Sequence, residues 1–404
     1  MNILHGKQIV LGVCGSIAAY KVAELARNLT LGGAHIDVIL TDAAQRFVGS
    51  ATFQALTGRP VLNDMWALPE DGVVGHVALG QQADLIVIAP ATANTIARLA
   101  AGLSDDLLGT TVLASRAPLL IAPAMNPHML TNPATQENIA TLRRRGALVL
   151  EPGFGRMAEP MVGQGRLPEP ATIEGEIRAL LGRQHGSLRG RRVVVTAGGT
   201  HEPLDPVRFI GNRSSGQMGY AIASEARDRG AYVTLISGPV ALMPPPAVQI
   251  VHVETAADMY AAVHIAVADA DLLVMNAAVA DFRPLTSAEH KIKKGAAPTM
   301  TVELTKNADI LASLATIQHL VKVGFAAETH DLLVYAGDKL RRKGIDMIVA
   351  NDATTSIGTA MIQLTLLDHA GVEMLPLLPK AEAAIHLMDA IIARFADRLS
   401  AKAL

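Results

Sequence analysis

Two doubly wound α/β domains, each built on a mostly parallel, Rossmann-like sheet, are what this sequence predicts, and three observations carry the prediction. Each half opens on a short apolar run, QIVLGV from Gln8 and VVV at 193–195, that meets a glycine-bearing turn and then an amphipathic stretch of helical period. Each half then returns to a second strand, AHIDVILT in the first and AYVTLISG in the second. Further along, QADLIVIAPATANT, ending at Thr95, has a counterpart in DADLLVMNAAVADF, ending at Phe282. Both consist of an acidic residue, an apolar strand and a loop of small polar residues. In a parallel sheet such loops lie at the carboxyl ends of strands, where ligands bind.

Taken in order, Gln8 to Val13 forms the first strand, Gly12, Gly15 and Ser16 the turn, and IAAYKVAELARNLTLGG the helix before the second strand. The segment GRQHGSLRGRR, residues 182–192, is glycine-rich, basic and without apolar period, so the boundary is placed near Gly186. This gives domains 1–186 and 187–404. In the second domain GPVALMPPPAVQ, with three consecutive prolines, reads as a surface loop. The lysine-bearing stretch 283–299 reads as a flap.

Composition narrows the function classes. Half of the 404 residues are apolar, which supplies core for two or three domains, and the net charge of -2 gives no basic footprint of a nucleic-acid binder. Cys14 is the only cysteine, which excludes an internal disulfide framework and a cysteine-based zinc site. No uninterrupted apolar run reaches membrane-spanning length. The expectation is a soluble, cytoplasmic protein with neither nucleic acid nor membrane as partner.

The stretch VVVTAGGTHEPLDPVRFIGNRSSGQMGY, 193–220, reads as an anion site. Gly198 and Gly199 would let backbone approach a ligand, Ser214, Ser215 and Gly216 open the next helix, and Arg208, Asn212 and Arg213 add charge and an amide. An ordinary glycine-rich turn accounts for the stretch equally well. The turn GVCGSIAAYK is not GxGxxG, which makes a dehydrogenase a poor reading, and neither half has the GxxxxGK[ST] phosphate loop.

With GHVALGQQADLIVIAPATANTIA, GLSDDLLGTT and APAMNPHML, the first half resembles the flavin mononucleotide (FMN)-dependent cysteine decarboxylases, over most of residues 6–170. The resemblance implies a flavoprotein-type domain with Gly15, Ser16, Ile17, Pro90, Ala91, Thr92, Asn94 and Thr95 along FMN. It makes His76 the active-site histidine and Asn126, of the PAMN motif, the partner of the substrate carboxylate. An α-carboxylate leaves only when its electrons have a sink, and oxidation of the neighbouring thiol by flavin provides one.

The sequence departs from that family in one loop. Where members that finish the reaction carry a proton-donating cysteine in RLACGxxGxGR, this chain has RMAEPMVGQGR, 156–166, with Glu159 at the cysteine position. Glu159 reads either as a substitute donor or as an unrelated surface residue, and Cys14 is the only other thiol. Leu130 stands where a tryptophan is common. An alternative follows: an active ligase whose flavin half stops at the enethiol or serves as a binding or regulatory module.

The second half, through VTAGGTHEPLDPVRFIGNRSSGQMG, NAAVADF, HKIKK and GDKLRRKG, resembles phosphopantothenate-cysteine ligase from Gly190 to about Ala390. The whole chain thereby resembles the bifunctional enzymes of coenzyme A synthesis. The resemblance implies activation of 4'-phosphopantothenate by CTP, accompanied by Mg²⁺, as an acyl-cytidylate that cysteine then attacks. Lys291 is the lysine of the activation step and Asn212 polarises the acyl-cytidylate carbonyl. Met275, Asn276, Ala277, Asp281, Ala308, Asp309, Ile310, Leu311 and Phe325 line the nucleotide. Lys339 and Lys343, four apart on one helix face, suit its triphosphate. Asp281 pairs a lysine or meets Mg²⁺ through water. The resemblance also implies a homo-oligomer and, for the flavin half, 4'-phosphopantothenoylcysteine as substrate.

Overall fold

The computed structural model describes residues 2–66, 75–294, 298–328, 340, 342–352 and 358–400. The chain divides into two compact units, Met1–Leu181 and Gly182–Leu404.

The first unit contains β1 (Gln8–Val13), α1 (Ala19–Leu31), β2 (His35–Leu40), α2 (Ser50–Thr57), α3 (Gly75–Gln82), β3 (Leu85–Ala91), α4 (Ala93–Ala101) and α5 (Leu107–Leu113). It continues with β4 (Leu119–Pro123), α6 (Pro127–Thr131), α7 (Pro133–Arg144), β5 (Leu148–Val149), the strands β6 (Gly153–Arg156) and β7 (Val162–Arg166), and α8 (Pro170–His185). The main sheet has the order β2-β1-β3-β4-β5, and all its strands are parallel. Strand order therefore reverses between β1 and β3, which opens a crevice above their carboxyl ends.

Alternation along β1 feeds two cores. Ile9, Leu11 and Val13 join a cluster with Val22, Leu25 and Leu29 of α1 and with Ile173, Ile177 and Leu181 of α8. Val10 joins the opposite cluster with Ile96, Leu99, Leu108 and Ile139. Gly12 is required by this second face: a Cβ there would lie 2.5 Å from Leu108 Cδ1. Helix α8 continues to His185, so the first four residues of GRQHGSLRGRR are helical instead of linker. The missing apolar period there reflects a partly exposed last turn.

The second unit contains β8 (Arg192–Ala197), β9 (His201–Pro203), β10 (Phe209–Gly211), α9 (Gln217–Asp228), β11 (Tyr232–Ser237), β12 (Gln249–His252), α10 (Ala256–Ala266) and β13 (Leu272–Met275). There follow β14 (Phe282–Pro284), β15 (Leu304–Lys306), α11 (Ile310–Ser313), β16 (Val321–Glu328), β17 (Met347–Asp352), β18 (Met361–Ile362), β19 (Thr365–Asp368), β20 (Val372–Met374), β21 (Leu378–Pro379), α12 (Lys380–Arg394) and α13 (Ala396–Leu399). The eight-stranded sheet runs β12-β11-β8-β13-β16-β17-β19-β20. Six strands are parallel, and β19 and β20 add an antiparallel edge. As in the first unit, odd and even residues of β8 serve different cores, Val193 and Val195 on one face and Val194 on the other.

Candidate active sites of the two units

In the first unit the loops after β1 and β3 meet over the crevice. The turn after β1 sits so close to the turn after β2 that a Cβ on Gly15 would lie 2.4 Å from Ala43 Cβ and 3.0 Å from its carbonyl carbon. Thr92 caps α4, its Oγ1 accepting from Thr95 N at 3.3 Å and lying 3.1 Å from Thr95 Oγ1. Two cavities share Gly15, Thr92 and Met129. One, of about 500 Å³, is lined by Ser16, Ile17, Asn126, Glu159 and Arg166 among others. The other, of about 870 Å³, adds Asn94, Thr95, Arg98 and Asp106. Both volumes fall within the usual range for a small-molecule site, about 300–1,000 Å³.

Asn126 caps α6 by accepting from His128 N through Oδ1 at 2.8 Å. Asn126 also lines the cavity of about 500 Å³, and with that oxygen engaged its NH₂ group remains as donor. Glu159 is exposed at the tip of the β6–β7 hairpin and lines the same cavity. The hairpin is seated by Met125 N, which donates to Gly165 O at 3.0 Å. The cavity wall also carries Lys21, Arg156 and Arg166, cations that motif reading passed over. The two arginines flank the hairpin loop in sequence, which is the signal that would have found them.

Not every expected residue joins these cavities. Pro90 and Ala91 are buried within β3, because the strand runs to Ala91 and the first loop residue is Thr92. His76 lies in the first turn of α3 and lines neither cavity, and its Nδ1 is buried without a hydrogen-bond partner among the described residues. Cys14 is 1% exposed and lines neither cavity. Burial pushes its thiol up to about 11, against a hydrogen bond with the Thr95 side chain that lowers it. A thiol so enclosed is a poor substitute donor.

In the second unit a cavity of about 690 Å³ lies at the carboxyl ends of β13, β16 and β17. Met275, Asn276, Ala277, Asp281, Ala308, Asp309, Ile310, Leu311, Phe325, Lys343 and Asn212 all line it. Lys339 lies outside the described residues. The loop after β13 is held from beneath by two buried hydroxyls: Ala277 N donates to Thr196 Oγ1 and Ala280 N to Thr200 Oγ1, each at 3.0 Å. Lys306, Asn307 and Asn351 also line it. None stands in a motif the sequence marked, since strand pairing and sheet order bring them in.

Within 198–216 the glycines Gly198 and Gly199 meet backbone. Gly198, with φ +78°, packs against Gly238 O, and a Cβ on Gly199 would lie 2.7 Å from Asn212 O. These glycines admit neighbouring backbone, and of this stretch only Asn212 lines the cavity. Arg208 is engaged by Asp205, at 2.5 Å, and by Ile292 O. Arg213 is exposed and off the cavity. Asn212 Nδ2 donates to Ala278 O at 3.3 Å and Val279 O at 3.1 Å, so polarising a carbonyl requires releasing one of those bonds. Lys291 is exposed beside this clamp and is not part of the cavity lining.

Residues 188–395 match the family described as DNA/pantothenate metabolism flavoprotein C-terminal domain, and residues 2–182 match the flavoprotein family. The chain is 51% identical over 360 residues to the coenzyme A biosynthesis bifunctional protein CoaBC of Mycobacterium tuberculosis, covering 85% of this chain and 86% of that protein. The chain belongs to the bifunctional coenzyme A biosynthesis family. A second member, from Vibrio cholerae, is 46% identical over 397 residues and covers 96% of this chain and 99% of its own length. A crystal structure of the C-terminal domain of a CoaBC protein is 41% identical, covers 53% of this chain and 100% of that one, and superposes with a TM-score of 0.46. In this bifunctional chain each unit thus has its own cavity at the carboxyl ends of parallel strands. No group of three or more histidine, cysteine or acidic side chains suited to a metal occurs among the described residues, and no described helix is long and apolar enough to cross a membrane.

Proposed function

We propose that the chain performs two consecutive steps of coenzyme A synthesis: CTP-dependent ligation of 4'-phosphopantothenate to cysteine, then FMN-dependent decarboxylation of the 4'-phosphopantothenoylcysteine formed. The observation that carries this reading is the end-to-end match to a bifunctional relative, 96% of this chain against 99% of that one. The cavities described above, two in the first unit and one in the second, support it.

In the ligase half the carboxylate of 4'-phosphopantothenate attacks the α-phosphate of CTP, pyrophosphate leaves, and the cysteine amine displaces CMP from the acyl-cytidylate. Lys291, Lys339 and Lys343 offset the repulsion between the two anions. Asp281, exposed on the cavity wall, is the candidate for water-mediated contact with the Mg²⁺ that accompanies CTP. Asn212 turns its amide to the acyl carbonyl once substrate displaces the loop carbonyls.

The donor set of the first unit fits FMN: the tight Gly15 turn, the hydroxyls of Ser16, Thr92 and Thr95, and two cavities that meet at Gly15 and Thr92. Ile17 and Asn94 extend the contact, and Pro90 and Ala91 support it from the strand. When bound, FMN takes up electrons from the substrate thiol and returns them after CO₂ has left. Asn126 holds the substrate carboxylate through its NH₂ group. His76, whose Nδ1 is buried without a hydrogen-bond partner among the described residues, is the candidate to fix charge or exchange a proton. Glu159 supplies the proton that saturates the product. A homo-oligomer belongs to this reading, supported by exposed Ile17, Tyr20 and Met129 on the cavity rim.

The test is stoichiometric. Purified protein given 4'-phosphopantothenate, CTP-Mg²⁺ and cysteine is expected to release pyrophosphate, CMP and CO₂ in equal amounts. Pyrophosphate and CMP without CO₂ would leave a ligase alone.

A further inference from the structure

Residues 285–294 have no helix or strand of their own, yet the segment carrying Lys291 is pinned. Leu285 N donates to Glu303 O and Ala288 N to Leu204 O, both at 2.9 Å. At Ile292, the neighbour of Lys291, both backbone groups are taken by a single ion pair. Ile292 N donates to Asp205 Oδ2 at 3.1 Å, and Ile292 O accepts from Arg208 Nη2 at 2.8 Å. The Asp205 side chain is 0% exposed. Its Oδ1 accepts from Val207 N and Arg208 N at 2.9 Å each, and its Oδ2 accepts from Arg208 Nε at 3.0 Å as well. One buried carboxylate thus closes the turn between β9 and β10, orients Arg208 and holds the lysine segment. The same β9–β10 turn leads directly into Asn212.

We infer that Asp205 is a positioning residue for the ligase, which acts through Arg208 and Ile292 to fix the backbone from which Lys291 reaches the reacting anions. The inference rests on the proposed role of Lys291. A lysine side chain has four rotatable bonds, so its ammonium is placed only as well as its backbone is. A misplacement of about 1 Å at a reacting centre costs on the order of 100-fold in rate. Only a carboxylate can accept all these donors. An asparagine would offer one oxygen and set an NH₂ group against Arg208 or the backbone amides.

The test uses the full-length protein and the cysteine-free half-reaction, pyrophosphate release from CTP and 4'-phosphopantothenate, together with amide hydrogen exchange. Asp205→Asn is expected to slow pyrophosphate release by about 30-fold or more. It should change the KM for CTP less than about threefold and accelerate exchange across 288–294. Exchange in β8 and α9 should stay as in the wild type. Arg208→Lys keeps a positive charge beside Asp205 but loses the forked bond to Asp205 Oδ2 and the reach to Ile292 O, and is expected to fall between the two, at about tenfold. Wild-type pyrophosphate release by Asp205→Asn would overturn the inference, as would exchange rising equally in β8 and α9, which marks a merely structural carboxylate. A Lys291→Gln protein at wild-type rate would instead overturn the role of Lys291, a distinct failure that leaves the exchange result unaffected.

Discussion

The ammonium of Lys343 lies 3.1 Å from Asp309 Oδ2, and both residues line the ligase cavity. A lysine expected at the triphosphate is therefore already paired, and its partner also caps α11 by accepting from Ala312 N at 3.1 Å. A phosphate seated at Lys343 would have to compete with that carboxylate. The pair is partly exposed, so its worth is modest, about 0.2–1 kcal/mol.

Asp309→Asn keeps a capping side chain and removes the competing charge. The dissociation constant for CTP-Mg²⁺, read by isothermal titration, is expected to fall by up to about fivefold. The gain should shrink as salt is added. Weaker binding would mean that Asp309 serves the nucleotide instead of restraining Lys343.

Gly15→Ala tests the flavin cradle. The new Cβ would meet Ala43 Cβ at 2.4 Å, backed by backbone at 3.0 and 3.1 Å, so no flexible side chain can give way. Overpacking of this kind costs about 1–3 kcal/mol. The protein is expected to purify with a lower flavin-to-protein absorbance ratio while pyrophosphate release by the ligase half stays unchanged.

The clamp at Asp205 carries a pH signature. Its hydrogen bonds with the Arg208 side chain hold the carboxyl well below the usual carboxylate range, against the effect of burial, and the amides of Val207 and Ile292 add to the lowering. With the folded value lowered, the unfolded chain binds the proton more readily, so this contribution to stability is complete above the ordinary value of about 4 and is lost as pH falls beneath it. Amide exchange at 288–294 is expected to lose protection on acidification in the wild type. In Asp205→Asn that part of the pH dependence should disappear. An identical acid profile in both proteins would contradict the assignment.

The periodic parts of this chain were legible as sequence. β1 and β8 follow from short apolar runs and α1 from helical spacing, and the loop after β13, with Met275, Asn276, Ala277 and Asp281 on the cavity wall, follows from a strand ending in small polar residues. What could not be read depends on contacts between distant residues. Gly198 and Gly199 look like ligand-facing glycines until Gly238 and the Asn212 carbonyl are found against them. Arg208 looks like a free cation although Asp205 pairs it from three residues away, and its bond to Ile292 O, 84 residues on, is invisible to local reading. Asp205 gave one local hint, the Asp-Pro turn, but nothing in that dipeptide says which segment the turn holds. The last turn of α8 was missed because its polar, partly exposed residues carry no apolar period.

The central claim is that a chain with glutamate at the usual cysteine position completes both reactions, and anaerobic single-turnover product analysis tests it most directly. Protein is mixed with 4'-phosphopantothenoylcysteine, products are weighed by mass spectrometry, and flavin absorbance is followed. The account predicts saturated 4'-phosphopantetheine with flavin returned to its oxidised state, and loss of at least about 100-fold in that return for Glu159→Gln, the low end of what a proton donor contributes. A product two hydrogens lighter, with flavin left reduced in the wild type, would contradict it.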